Sequence, residues 1–135
     1  MQHYTVRMSK ISGRIKIPSS KSQSLRSILF ASMGAGCSHI RNLLDSPDVD
    51  KMLSICTKMG AQIKDDLEDG IEIWGCKGMP NDLQGIIDVG NSGIILRFIG
   101  AIVALTKKSV SLTGDASICS RRPIQALLDG LNGWG

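Results

Sequence analysis

Residues 17–36 read IPSSKSQSLRSILFASMGAG, and residues 85–108 read GIIDVGNSGIILRFIGAIVALTKK. The two stretches follow one plan, and that plan decides the fold. Each runs from a short apolar strand through a loop of small polar residues into a helix. GRIKIP (13–18) alternates and ends at Pro18, the pattern of a short strand. Leu25, Ile28, Leu29 and then Ser32 or Met33 recur at the helical period, and Gly34 and Gly36 stop the helix. GIIDVG (85–90) is a strand entering a glycine loop, and residues 91–108 read as the helix after it. Arg26 and Arg97 hold matching places, each four residues after a small one, Ser22 and Gly93.

The pattern continues outward from both helices. SHIRNLL (38–44) reads as a strand. Ser46 is the expected N-cap of the next helix, with Pro47 at its first position and Asp48 in its first turn. Val49, Met52, Leu53, Cys56 and Met59 make the buried stripe of that helix. AQIKDD and GIEIWG form a hairpin around a Glu-Asp-Gly turn. In the second copy SVSLTGD (109–115) is a strand, and RPIQALLDGLNGWG (122–135) is a helix starting at Pro123. The order strand, helix, strand, helix therefore occurs twice, an internal repeat in an α/β protein. No low-complexity linker separates the copies, so they are expected to share one domain.

Bulk properties bound the possibilities. The chain has 135 residues, of which 42% are hydrophobic and 21% charged, enough apolar content to bury a core. The net charge is +4, but Lys and Arg never run beyond two in a row, which argues against a nucleic-acid tail. The modest excess of positive charge suits a small anionic metabolite. Cys37, Cys56, Cys76 and Cys119 form no CxxC, and His3 and His39 do not pair with them at ligand spacing. Four free thiols in a reducing cytosol, with no metal, is the expectation. MQHYTVRMSK lacks the apolar segment of a signal peptide. IILRFIGAIVAL is interrupted by Arg97 and too short to span a bilayer, so no membrane partner is expected.

Three loops leading into helices hold residues that structure alone does not require. In SSKSQSLR, four serines, the helix-start N–H groups, Lys21 and Arg26 together suit a phosphate or carboxylate. The alternative is that Lys21 and Arg26 point into water while Ser20 or Ser22 caps the helix. Lys21 is also a candidate for proton transfer in a dry site. In DVGNSGIILR, Gly90 and Gly93 permit close backbone approach to a ligand, while Asn91 and Ser92 are good capping residues, so an ordinary helix start remains open. Arg97 inside an apolar helix needs a partner, either a ligand or a carboxylate such as Asp48 or Asp45. In TGDASICSRRPIQ, a helix beginning at Pro123 would set Arg122 at or beside the N-cap, where a cation is electrostatically misplaced. That repeats the anomaly of Lys21. Trp74 and Trp134 read as packing residues.

These residues describe a binder of a multiply anionic small ligand and name no reaction. The motifs PSSKSQSLRSILFASMGAG, NLLDSPDVDKML, GNSGIILR and LTGDASICSRRPIQALLDGL, in this order, resemble the EPSP synthase (3-phosphoshikimate 1-carboxyvinyltransferase) family. The resemblance implies transfer of the enolpyruvyl group of phosphoenolpyruvate to the 5-hydroxyl of shikimate 3-phosphate, with release of phosphate and without a cofactor. It implies a cytoplasmic enzyme, usually monomeric, with no nucleic-acid partner. By matching position, Lys21 touches both substrates and is the catalytic candidate. Ser22 and Arg26 match contacts to shikimate 3-phosphate, and Gly93 and Arg122 match contacts to phosphoenolpyruvate. Asn91 shapes the latter site, with Arg97 and Asp48 in support.

The family fold is an inside-out barrel of repeated βαβαββ units. The resemblance implies that residues 1–19 hold a strand belonging to the other domain. Residues 20–135 would be a partial N-terminal domain, with unit one over about 20–80 and an incomplete unit two over about 81–135, and no C-terminal domain. Family members are some three times as long, and several acid–base and anion-binding residues come from the missing part, so the isolated chain is expected to bind anions without turnover. Where the family commonly has Thr-Ala-Met-Arg-Pro after the loop glycine, this chain has Ile94, Ile95, Leu96, Arg97 and Phe98, a change that bears on glyphosate sensitivity. GDASICSRRP is one residue longer than the common form, leaving Arg121 and Arg122 as alternatives for the anion contact. Two other readings stand beside this one: a UDP-N-acetylglucosamine enolpyruvyl transferase, and a non-catalytic anion-binding module.

Overall fold

Apolar side chains at the spacing of Leu25, Ile28 and Leu29 can be buried together only if residues 21–33 coil into a helix. The computed structural model, which describes residues 3–67 and 70–134, has that helix as α1 (Lys21–Met33). Leu25 and Ile28 are fully buried and Leu29 nearly so. Ser20 caps the start, its hydroxyl accepting from Gln23 N–H, and Gly34 caps the end. β1 (Cys37–Arg41) follows and stops at Asn42, whose φ of 54° turns the chain out of the strand. α2 (Pro47–Lys58) starts as the sequence indicates, with the Ser46 hydroxyl accepting from Val49 N–H and Pro47 at the first position. Val49, Met52, Cys56 and Met59 are buried. Ile55 is buried too, while Leu53 is only partly so.

β2 (Gln62–Leu67) and β3 (Gly70–Trp74) pair antiparallel, and β3 also pairs with β1, giving the order β1-β3-β2. Of the expected Glu-Asp-Gly turn, residues 68 and 69 lie outside the described residues. Period-two alternation sends Ile71 and Ile73 into the core beneath α1 and α2. The chain leaving β3 then folds onto the end of α1. Cys76, Gly78 and Lys77 N–H donate to the carbonyls of Ser32, Met33 and Gly34, which a helix end leaves without intrahelical partners.

The second half is built on β4 (Gly85–Asp88), α3 (Gly93–Val103) and β5 (Val110–Thr113), with β4 and β5 parallel. α3 ends five residues short of the expected Lys108. Its buried face is Ile95, Leu96, Ile99 and Gly100. Ile95, Leu96 and Ile99 join the same core as α1 and α2.

Three expectations fail. GRIKIP forms no strand: residues 3–20 contain no helix or strand, and Ile15 and Ile17 are largely exposed. A strand exists only where a neighbouring edge takes its hydrogen bonds, and no described strand pairs with this segment. The helix expected from Pro123 forms as α5 (Gln125–Asn132) but starts two residues later than the proline, and a further helix that the pattern did not suggest, α4 (Ala116–Arg121), precedes it. Asp115 caps α4 through Ile118 N–H, and that helix ends before the proline. Trp134 is 95% exposed and packs nothing, whereas Trp74 is 38% exposed.

Two outcomes test this packing. A Cβ on Gly75 would collide with the backbone carbonyls of Gly34 and Ala31, so Gly75→Ala is expected to lower stability by about 1–3 kcal/mol in urea titration. Burial pushes the Cys56 thiol from 9.0 up to about 11, with the Ser32 hydroxyl pulling the other way and Cys76 adding to the rise. Because the folded value is the raised one, this contribution is intact below the ordinary thiol pKa and is lost as pH climbs toward 11. Thiol labelling of the native chain should accordingly reach exposed Cys37 and Cys119 first and Cys56 last.

Candidate functional site

Lys21 occupies the first position of α1, where partial positive charge gathers and a cation is disfavoured. The fold relieves the conflict through α2. Asp48, in the first turn of α2, brings Oδ2 to 2.9 Å from Lys21 Nζ. That carboxylate also sits where α2 favours negative charge. The contact has ion-pair distance without hydrogen-bond geometry, so Asp48 Oδ2 is buried with no hydrogen bond among the described residues. Lys21 is half exposed. Ser24 is buried and its hydroxyl accepts from Leu44 N–H, which ties the first turn of α1 to the chain before α2. Ser22 is half-buried and Arg26 is exposed one turn further on.

The second loop is tightly specified. Asp88 Oδ1 accepts from Gly90 N–H at 2.8 Å, and Gly90 takes a φ of 64°, a conformation open to glycine at little cost. Gly90 O accepts from Asp115 N–H at 2.9 Å, joining this loop to the third. Ser92 is buried and caps α3 through Ile95 N–H, while Asn91 is exposed. Asp88 Oδ2 lies 2.9 Å from Lys51 Nζ on α2. The Lys51 hydrogen bond, followed by the Gly90 N–H, lowers the Asp88 carboxyl below its ordinary pKa.

Arg97 corrects the sequence reading. Its partner is neither Asp48 nor Asp45 but two backbone carbonyls, Nη1 donating to Gly93 O and Nη2 to Pro123 O, each at 2.7 Å. The guanidinium fork clamps the start of α3 to the chain between α4 and α5. Arg122 corrects it as well. It is the C-cap of α4, where a cation is favoured, so the supposed charge anomaly does not exist. Its side chain nevertheless crosses the loop: a Cβ on Gly93 would lie 3.0 Å from Arg97 Nη1, 3.5 Å from Arg122 Cδ and 3.8 Å from Arg122 Nε. Arg121 lies in the last turn of α4, and Arg122 is the one against Gly93.

Two groups therefore form: Lys21 with Asp48, and Gly93 with Arg97 and Arg122. α2 connects them, Asp48 reaching the first loop and Lys51 the strand before the second. Arg26 and Asn91 join neither through a described contact. Sequence reasoning missed Lys51, Asp88 and Asp115. The signal available was Asp88 two residues before Gly90, the spacing at which an aspartate accepts from a backbone N–H in a turn. Cavities border the loops without enclosing Lys21, Gly93 or Arg122, one of them being lined by Pro18, Ser19, Leu44 and Asp45 beside the first loop. Another is an apolar groove of about 370 Å³ between Leu96, Gly100, Leu112, Ile124 and Leu128, so the loops present an open surface. Among the described residues no cluster of His, Cys, Asp and Glu suits a metal ion, and no helix is long and apolar enough to cross a membrane.

Comparison with known proteins places this geometry in context. The model of the EPSP synthase (3-phosphoshikimate 1-carboxyvinyltransferase) family matches residues 6–135. A 3-phosphoshikimate 1-carboxyvinyltransferase of Chlamydia pneumoniae is 42% identical over 135 residues, covering 100% of this chain and 30% of its own length. The Chlamydia caviae protein of that name is 39% identical over 137 residues, with the same coverage. An EPSP synthase structure from Acinetobacter baumannii superposes with a TM-score of 0.80 at 28% identity, over 91% of this chain and 28% of that one. The chain thus spans about 30% of the length of the relatives it matches.

Two measurements test the clamp and the aspartate. Arg97→Leu removes both bonds to carbonyls and should cost about 1–2 kcal/mol of stability, with faster hydrogen exchange near residues 122–124. Asp88 has a lowered carboxyl pKa, so its contribution is present at neutral pH and lost as pH falls through and below the ordinary carboxylate range. Asp88→Asn should flatten that part of the acid-stability profile.

Proposed function

Since the chain belongs to the EPSP synthase family, we propose that it supplies the anion-binding loops with which that family transfers the enolpyruvyl group of phosphoenolpyruvate to the 5-hydroxyl of shikimate 3-phosphate. Lys21 lies where both substrates meet and is the catalytic candidate of this chain. Ser22 and Arg26 receive shikimate 3-phosphate. Gly93 and Arg122 receive phosphoenolpyruvate, with Asn91 shaping the loop and Arg97 and Asp48 in support. The observation that carries this reading is the meeting of Gly93 with the Arg122 side chain, held by the Arg97 bridge from Gly93 O to Pro123 O. A backbone with no Cβ beside two guanidinium groups suits close approach of a carboxylate or phosphate.

The same reading divides the chain as the family does. Residues 1–19 lie with the other domain, and residues 20–135 are one and a half βαβαββ units of a barrel that further polypeptide completes. Their exposed apolar side chains, Val6, Met8, Ile11, Ile15 and Ile17 among them, support a role in pairing outside the 20–135 unit. By itself the 135-residue chain binds anions without turnover. Its free cysteines suit a reducing cytosol.

Lys21→Ala and Arg122→Ala should each weaken phosphoenolpyruvate binding by about 1.5–3 kcal/mol in calorimetric titration, the scale of a charge-assisted hydrogen bond. Unchanged affinity in both variants would refute the site. Thermal protection by shikimate 3-phosphate, and not by a UDP-sugar, separates this family's reaction from that of the UDP-N-acetylglucosamine enolpyruvyl transferases. Turnover by the 135 residues alone would overturn the division of labour.

A further inference from the structure

Asp88 presents a problem that the proposed site raises and Lys51 answers. The carboxylate accepts from the N–H of Gly90, so it stands directly beside a loop meant to hold an anion. A bare negative charge there repels phosphoenolpyruvate. It also cannot simply be dropped, because its Oδ1 holds Gly90 at positive φ, and Gly90 O in turn holds Asp115 at the head of the third loop. Lys51 Nζ sits 2.9 Å from the other oxygen, Oδ2. The two oxygens of one carboxylate thus divide the work: one shapes the loop and the other is neutralised from α2.

Stability is a poor explanation for this pair. The side chains of Lys51 and Asp88 are 34% and 55% exposed, and ion pairs so exposed contribute little to stability. Lys51 is also one helical turn after Asp48, whose carboxylate meets Lys21. The first turns of α2 therefore set a negative charge against the cationic loop and a positive charge against the loop that contains a carboxylate. Each loop is corrected by the charge it lacks.

We propose that Lys51 is a positioning and charge-cancelling residue for phosphoenolpyruvate binding, acting through Asp88 on the Gly90–Gly93 loop. The inference rests on the proposed function, since it assumes that phosphoenolpyruvate occupies that loop. Lys51→Met keeps the aliphatic stem and leaves the Asp88 charge uncancelled. Asp88→Asn keeps an oxygen for Gly90 N–H and removes that charge.

The experiment is calorimetric titration of phosphoenolpyruvate into the full 135-residue chain, its variants, and the double variant Lys51→Met/Asp88→Asn, at low and high salt. Lys51→Met should weaken binding about three- to fivefold at low salt, with the loss shrinking as salt rises. Lys51→Arg should bind like the parent. Asp88→Asn should bind no more weakly than the parent, and the double variant should return to within about twofold of it. A purely structural pair would give the reverse: Asp88→Asn would weaken binding as Lys51→Met does, and the double variant would recover nothing. That result, or unchanged affinity in Lys51→Met while Arg122→Ala weakens binding, overturns the inference and leaves the proposed function standing. A parent chain that does not bind phosphoenolpyruvate overturns both.

Discussion

The burial of α1 between α2 and the β1-β3-β2 sheet is the constraint from which the rest follows. Leu25 and Ile28 on α1, Met52 and Cys56 on α2, Met59 at its C-cap, and Ile73 on β3 are all fully excluded from water. Each such side chain stabilises by about 1.5–3 kcal/mol relative to exposure, so the relative placement of the two helices is set by apolar contact rather than by charge. Once that placement is set, the first turns of α1 and α2 lie side by side. Lys21 and Asp48 meet because their helices are packed, and the ion pair is a consequence of the core.

The second half attaches to this core through α3. Ile95 and Ile99 are fully buried in the same cluster, and Ser92 goes under with them. The loop before α3 is thereby brought up against α2, close enough for Lys51 to reach Asp88. Its shape is then specified by backbone contacts in series: Asp88 to Gly90, Gly90 to Asp115, Arg97 to Gly93 and Pro123. Gly114 belongs to this series as well, because a Cβ there would strike Gly90 O. A surface built in this way is held by hydrogen bonds to main-chain atoms, which fix geometry better than mobile side-chain pairs do.

Much of the architecture could be read directly from residues. The serine caps of α1, α2 and α3 and the proline at the start of α2 each sit where a local hydrogen-bond deficit demands them. The order of β4, α3 and β5, and of α1, β1 and α2, followed from periodicity. The errors also have local causes. Gly13–Pro18 alternates like a strand, yet alternation speaks of which faces differ and not of whether a partner edge exists. Pro123 looked like the first residue of a helix, but it falls in the gap between α4 and α5, whose first residue is Gln125, and the Asp115 cap of α4 went unread.

The charged residues divide along the same line. The sequence by itself determined that Lys21 begins a helix, that Gly90 and Gly93 flank a loop, and that Arg97 cannot stand unpartnered in an apolar helix, because these follow from spacing and from the energetics of one segment. Only the tertiary structure decided the partners. Arg97 turned to two carbonyls rather than to a carboxylate, Asp48 went to Lys21, Lys51 to Asp88, and Arg122 rather than Arg121 came to rest against Gly93. Those choices depend on which helix faces the core buries against one another. Apolar burial is non-directional and acts between segments far apart in the chain, so no local pattern carries its outcome.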